Sequence, residues 1–312
     1  MGDKQMSVAH IYSGNPLDRG DRERRNEQWI TDMTNDPTSK FLLLKDLNVL
    51  VSQDIQDGLG WLSMDDMRKL GVDSRALFLG LRDQVALFVV DISDYEYAVQ
   101  ELSDDGNYKF VDTRTVTVFL SGADSAIVAH ARAQVHWHNQ TRFCSICGQE
   151  TFVKRGGQVR QCSKCDAEHY PRTDPVVITV VSDNDRCLLG QSHGPLSRTN
   201  TFSALAGFVD QGESIEEAVA REIMEEAGIS IKNIRYHSSQ PWPFPSSLMI
   251  GCHADATTTD ISIDNEEMID VRWFQRGDVL RALEKTSEVL AVPGPIAIAH
   301  HLIRAWATNN IP

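Results

Sequence analysis

The stretch Gly207–Ile229, G-F-V-D-Q-G-E-S-I-E-E-A-V-A-R-E-I-M-E-E-A-G-I, constrains this chain more than any other. A loop with two glycines runs into a segment that opens on Ser214 with Glu217 three residues on, a capping box. Gly228 stands where a helix ends on a left-handed residue. The charge pattern inside the predicted helix is anomalous. At ~100° per residue, Glu222, Glu225 and Glu226 share an arc of roughly 100° that overlaps the core-facing stripe of Ile215, Val219 and Ile223. Like charges at these spacings cost a few tenths of a kcal/mol per pair, and half-buried carboxylates cost more unless something positive neutralises them. Arg221 can offset part of this by pairing with Glu213 across the loop, but a surplus remains. Divalent cations answer it, because hard cations take oxygen ligands and Mg²⁺ binds one or two carboxylates together with substrate phosphates. The competing reading, a solvated acidic helix face, does not account for the loop glycines.

At 312 residues the chain is long enough for two domains or one with an appendage. Its formal charge of −14 argues against binding nucleic acid through bulk electrostatics. No apolar run approaches the ~20 residues of a membrane span. The start, M-G-D-K-Q-M-S, has no signal-peptide core and carries Met6 where a myristoylation motif wants Ser or Thr. The end, Asn310-Ile311-Pro312, is not the usual peroxisomal tripeptide. The expectation is a cytoplasmic protein without a membrane partner.

Residues 1–40 read as a polar N-terminal arm, with the run Asp18–Arg25 solvated. Short apolar runs begin at Phe41 and continue through Val49–Val51, Ala76–Leu79, Val85–Val90 and Thr115–Leu120, which suits strands of an α+β domain over 41–138. Ser125–His138 reads as its closing helix. His136 and His138 form an H-x-H pair without further ligands at metal spacing.

Two C-x-x-C pairs follow, Cys144/Cys147 and Cys162/Cys165, separated by fourteen residues. Gly148 and Asp166 follow the pairs, where turns let amides point at thiolates. Four thiolates complete a tetrahedral, structural Zn²⁺ site. A redox dithiol is the alternative, although one pair would suffice for it. Lys154, Arg155, Arg160 and Lys164 leave this segment (139–170) open either to a structural or dimer-forming role or to RNA binding. Cys187 and Cys252 lie in apolar, strand-like settings and read as small core residues. The final domain, 171–312, starts with an extended segment and the buried-strand run Val176–Val181, with Cys187–Leu189 as its hairpin partner. After the acidic helix, Asn233–Ser238 reads as a strand.

Next comes S-Q-P-W-P-F-P-S-S. Pro241, Pro243 and Pro245 at alternate positions stiffen the backbone and remove amide donors. Trp242 and Phe244 either pack into a core or form a wall for a planar base, with Gln240, Ser246 and Ser247 as polar contacts.

The segment 207–229 resembles the Nudix box, G-x5-E-x7-R-E-U-x-E-E-x-G-U, where U is aliphatic. The S-Q-P-W-P-F-P stretch after a four-cysteine ribbon resembles the NADH pyrophosphatase subfamily of Nudix hydrolases. The resemblance implies an α+β protein: a Nudix α/β/α sandwich preceded by a zinc ribbon and a smaller N-terminal domain. It implies homodimers that cleave the diphosphate of NAD(H) to nicotinamide mononucleotide and AMP with Mg²⁺ or Mn²⁺, and in some members remove NAD caps from RNA. Carried onto this chain, it makes Glu222, Glu226, Glu267 and the Ala206 carbonyl metal ligands, and Glu225 a further ligand or general base. It assigns substrate contacts to Gln240–Ser247, Phe208, Tyr170, Ala299 and Arg114. Alternatives are another dinucleotide, such as ADP-ribose or a diadenosine polyphosphate, or an RNA-binding ribbon protein acting mainly on capped RNA.

Overall fold

Strand alternation builds both halves of the protein. The computed structural model describes residues 10–73, 76–194 and 199–311. Among the described residues, contacts divide the chain into an N-terminal unit, Ile11–Arg172 with Trp242–Ser246, and a C-terminal unit, Thr173–Pro241 and 247–311 with His10.

In the N-terminal unit, β1 (Lys40–Lys45), β2 (Asn48–Ser52), β3 (Trp61–Ser63), β4 (Leu77–Arg82), β5 (Val85–Asp91) and β6 (Tyr108–Val111) form a sheet in the order β4-β5-β1-β2-β6, with β3 on β1. Successive residues of its apolar runs face opposite sides. Leu42, Leu44, Leu77 and Val89 join one core with Ile127, Val128, Ala131 and Val135 of the helix Gly122–Gln140. Phe41, Leu43, Phe78 and Phe88 join a second core with Met67, Ala98 and Leu102. A sheet buried on both faces explains why these runs are apolar throughout.

Two expectations are corrected here. Thr115–Leu120 is not a strand: Thr113–Val116 is a short helix, because Asp112 Oδ1 caps the amides of Arg114 and Thr115 at 3.0 Å each. The segment expected as a polar arm is also packed from His10 onward, with Tyr12, Leu17 and Ile30 in the interior and a helix over Glu27–Thr34. Within the charged run, Arg24 is 1 % exposed. Its guanidinium donates to the carbonyls of Arg19 (2.6 Å), Leu79 (3.0 Å) and Gly156 (3.3 Å) and lies over the Phe78 ring. Burial lowers its pKa to about 10. Arg24→Ala leaves these carbonyls unsatisfied and is expected to cost on the order of 3 kcal/mol in denaturant titration.

The ribbon belongs to this unit, as β7 (Thr151–Lys154), β8 (Val159–Cys162) and β9 (Glu168–His169) in one three-stranded sheet. His138, 7 % exposed, is no metal ligand: its Nε2 donates to the Gly157 carbonyl at 2.8 Å and its Nδ1 accepts from Arg160 Nη1 at 3.0 Å. Both partners select the neutral ring, and burial pulls its pKa from 6.5 to about 4. Between those values the unfolded chain binds a proton that the folded protein refuses, so stability falls as pH drops from 6.5 toward 4. His138 is expected to account for a loss on the order of 1–2 kcal/mol by about pH 5. Urea titrations at both pH values check this, with His138→Gln reducing the slope.

In the C-terminal unit, β10 (Asp174–Asp183), β11 (Arg186–Ser192), β12 (Leu205–Phe208), β13 (Ile231–Trp242), β14 (Ser247–Ala256) and β15 (Met268–Gln275) run in the order β13-β14-β10-β11-β15, with β12 antiparallel to β10. Residues β10 and β11 turn to one side, with Ile178, Val180, Cys187 and Leu189, meet Val279, Leu302, Ile303 and Trp306. Val177, Val181 and Leu188 on the other side meet Ala218, Val219, Ile223 and Ala227 of the acidic helix. The sheet is therefore sandwiched between helices, as the sandwich expectation requires. Cys187 and Cys252 are fully buried core residues. No helix among the described residues is long and apolar enough to cross a membrane.

Candidate active site

The acidic helix spans Ile215–Ala227 and starts on a complete capping box. Ser214 Oγ accepts from the Glu217 amide at 3.2 Å, and the Ser214 amide donates to Glu217 Oε2 at 2.7 Å. Gly228 ends it at φ +69°. Because one face of this helix packs on the sheet, its inner carboxylates are carried inward: Glu222 is 8 % and Glu226 6 % exposed, while Glu225 remains exposed.

Arg221 neutralises part of this charge through one planar fork. Nε and Nη2 bind Glu213 Oε1 and Oε2 at 2.7 and 2.8 Å, and Nη1 reaches Glu222 Oε1 and Glu225 Oε2 at 2.8 Å each. Nη2 also donates to the Phe208 carbonyl at 2.9 Å, tying the glycine loop to the helix. The bidentate contact holds the Glu213 carboxyl down at about 2. Glu226 lies beyond that fork. Its Oε2 is buried without a hydrogen-bond partner. Burial, then the charges of Glu222 and Glu267, push its pKa up to about 8, although a backbone hydrogen bond from Ala206 pulls the other way. Glu222 is raised for the same leading reason, burial.

Gly207 completes the cradle. A Cβ there would sit 1.9 Å from Glu222 Cδ and 2.0 Å from each of its oxygens, so the loop backbone lies directly against the carboxylate. A buried oxygen without a donor, beside further carboxylates, is the donor set of a hard divalent cation, and the residues present fit one. Among the described residues, the cysteines form the group of ligand-type side chains whose donor atoms all lie within 4.8 Å of one another.

The cysteine cluster fits zinc. Cys147 and Cys162 Sγ are 3.4 Å apart and Cys144 and Cys165 Sγ 3.7 Å, near the roughly 3.8 Å edge of a tetrahedron with zinc–sulfur bonds of about 2.3 Å. The Cys165 and Lys164 amides approach Cys162 Sγ at 3.5 and 3.4 Å and pull that thiol down to about 6. Gly148 and Asp166 both adopt positive φ, as turns behind such pairs require. His169, not singled out in the sequence, sits 3.4 Å from Cys144 Sγ through Nε2. No periodicity marks such a partner; only its position four residues beyond the last cysteine hints at it.

The expected substrate contacts fall into different settings. Phe208 and Tyr170 are 59 % and 58 % exposed, available to a ligand, and Tyr170 donates to Glu168 Oε2 at 2.5 Å. Ala299 is 3 % exposed within the core of its unit, so its methyl offers a ligand almost no surface. Gln240, expected as a ligand contact, is fully buried: Nε2 donates to the Ile296 carbonyl at 2.7 Å and Oε1 accepts from the Ile298 amide at 2.8 Å. Its amide fastens the start of the last helix, Ile298–Ala307, to the end of β13. Pro241 and Trp242 finish that strand, Pro243–Ser246 turn, and Ser247 opens β14. Trp242 and Phe244 meet edge to face at 5.4 Å. Within the N-terminal unit Phe244 lies under the Arg114 guanidinium at 4.2 Å, so two of the expected contacts adjoin each other.

A helix-flanked sheet whose glycine loop feeds a glutamate-rich helix defines a Nudix hydrolase fold. Comparison with known sequences agrees. A profile described as "NUDIX domain" matches residues 171–291, "NADH pyrophosphatase-like rudimentary NUDIX domain" matches 38–137, and "NADH pyrophosphatase zinc ribbon domain" matches 139–170. The chain is 38% identical to Nudix hydrolase 19, chloroplastic, of Arabidopsis thaliana, over 81% of this chain and 70% of that one. It is 34% identical to the NAD-capped RNA hydrolase NUDT12 of Macaca fascicularis (96% and 74% covered). It is 41% identical to the mitochondrial NAD(P)H pyrophosphatase NUDT13 of Mus musculus (64% and 60% covered). The chain belongs to the Nudix hydrolase family, in the three-part form of its NADH pyrophosphatase branch.

Proposed function

We propose that this enzyme hydrolyses the diphosphate bond of NAD(H) to NMN(H) and AMP, and that it acts in the same way on the 5′ NAD cap of RNA. The observation that carries the proposal is the partnerless buried oxygen of Glu226 beside Glu222 and Glu267, on a chain that also holds the S-Q-P-W-P-F-P-S-S turn. The names of the NUDT12 and NUDT13 relatives support the substrate class.

Glu222, Glu226 and Glu267, with the Ala206 carbonyl, would hold Mg²⁺ or Mn²⁺. Such ions, when bound, neutralise phosphate charge and lower the pKa of a water. The chain's own residues do the rest. Arg221 holds Glu222 and Glu225 in place, and Gly207 lets the loop backbone lie against Glu222. Exposed Glu225 is assigned the proton of the attacking water. A bond forms from that water's oxygen to phosphorus as the bridging oxygen leaves. The resemblance assigns nucleotide contacts to Phe208, Tyr170, Arg114, Ala299 and the stretch Gln240–Ser247, within which the buried Gln240 amide holds the backbone at Ile296 and Ile298.

A product assay with Mg²⁺, offering NADH, NAD⁺, ADP-ribose and a diadenosine polyphosphate separately, tests the reading. NADH converted fastest to NMNH and AMP is the expected result. Preference for ADP-ribose with NADH untouched would overturn the substrate while leaving the family intact. Steeply salt-dependent binding of uncapped RNA would favour a function centred on RNA. The proposal includes a homodimer and a cytoplasmic location, to be checked by light scattering and by imaging of the tagged chain.

A further inference from the structure

No feature of the sequence singles out Arg132, yet the Trp242–Ser246 turn is fastened to it. It projects from the helix Gly122–Gln140, in the same unit as the turn. Its Nη1 donates to the Pro243 carbonyl, and its guanidinium carbon lies 4.5 Å from the centre of the Phe244 ring. Arg114 stands 4.2 Å from the same centre, and Tyr12 meets both Trp242 and Phe244 edge-on at 5.9 Å.

The turn needs an outside anchor because its own composition denies it one. Prolines at 241, 243 and 245 carry no amide hydrogen, so the backbone has few donors with which to close on itself. The Phe244 amide to the Trp242 carbonyl, at 2.8 Å, is such a closure. Arg132 supplies a donor to the carbonyl between them and a cation to the ring that follows.

Arginine is a costly choice if packing were the only purpose. Arg132 Nε is buried without a hydrogen-bond partner, and burial together with the nearby Arg114 charge lowers the pKa of the group. Neither arginine pairs with a carboxylate among the described ion pairs. A methionine would fill similar space without an unpaired buried N–H. A lysine would carry the charge but not the planar fork that stacks and donates at once.

We infer that Arg132 is a positioning residue: by holding the Pro243 carbonyl and the Phe244 ring, it sets the shape of the turn that contacts the dinucleotide. This rests on the dinucleotide reading above. The test is steady-state kinetics on NADH, with melting temperatures, for wild type, Arg132→Lys, Arg132→Met, Phe244→Leu and the Arg132→Met/Phe244→Leu double variant. Both Arg132 variants are expected to raise KM about tenfold with kcat held within about threefold. Their melting temperatures should stay within about 4 °C of wild type. The double variant should exceed Phe244→Leu alone by clearly less than the tenfold that Arg132→Met causes in the wild-type background, because part of Arg132's hold is on that ring and part on the Pro243 carbonyl. An unchanged KM, or effects of the two substitutions that multiply independently, would overturn the inference. Wild-type turnover of NADH reports on the substrate reading separately. If ADP-ribose is preferred instead, the same ratios are read on ADP-ribose, and the positioning role stands or falls on them.

Discussion

Glu226→Gln is expected to reduce NADH cleavage by about a hundredfold to a thousandfold or more, while raising the melting temperature of the magnesium-free protein. The two effects share one cause. Glu226 is 6 % exposed, one of its oxygens lacks any donor, and neighbouring Glu222 and Glu267 add like charge, which together raise its pKa to about 8. A carboxylate so placed costs stability unless something positive neutralises it. A neutral amide of the same shape relieves that by on the order of 1–2 kcal/mol and cannot hold the cation. Calorimetry in magnesium-free buffer with zinc left in place, beside steady-state rates with Mg²⁺, measures both. A variant that is inactive but less stable than wild type would mean that Glu226 serves the core rather than the cation.

Loss of the zinc site is expected to be the largest single blow to stability. Cys162→Ser should cost the N-terminal unit about 5 kcal/mol or more, since binding free energy at a structural zinc site is folding free energy. Cys162 is fully buried and gathers two amides as well as Cys147. The damage should not stay local. The ribbon's Gly156 and Gly157 carbonyls are held by Arg24 and His138, so an unravelled ribbon strands two buried polar side chains elsewhere in the unit. Cys144→Ser, at a sulfur also buried, should behave similarly and reduce stability more than turnover in the protein that survives. Zinc content by mass spectrometry, with calorimetry, checks this; a fully folded, zinc-free active protein would refute it.

The acidic helix, its caps and its Arg221–Glu213 contact were legible in the chain because their partners are local. Gly207, Glu213, Arg221, Glu222 and Glu226 lie within twenty residues, and a capping box with a terminal glycine fixes the helix that carries them. The same locality made the cysteine pairs and the Arg221–Glu213 contact readable. Long-range partnerships left no such trace. Arg24 sits in a run of charges that reads as solvated, and only the distant carbonyls of Leu79 and Gly156 explain why it is interior. Arg132 and Phe244 are 112 positions apart and meet only in the folded chain. Thr115–Leu120 misled for the opposite reason: its β-branched residues suggest a strand, but one aspartate at the N-cap decides the local backbone.

The Gln240 amide, closed at both ends on the backbone around Ile298, ties the end of β13 to the start of the last helix. The residue ahead of Pro241 is thus fixed by a segment 58 positions downstream. On the dinucleotide reading proposed above, a substitution at the start of that helix would move the backbone ahead of Pro241 and leave the Arg221–Glu213 contact in place.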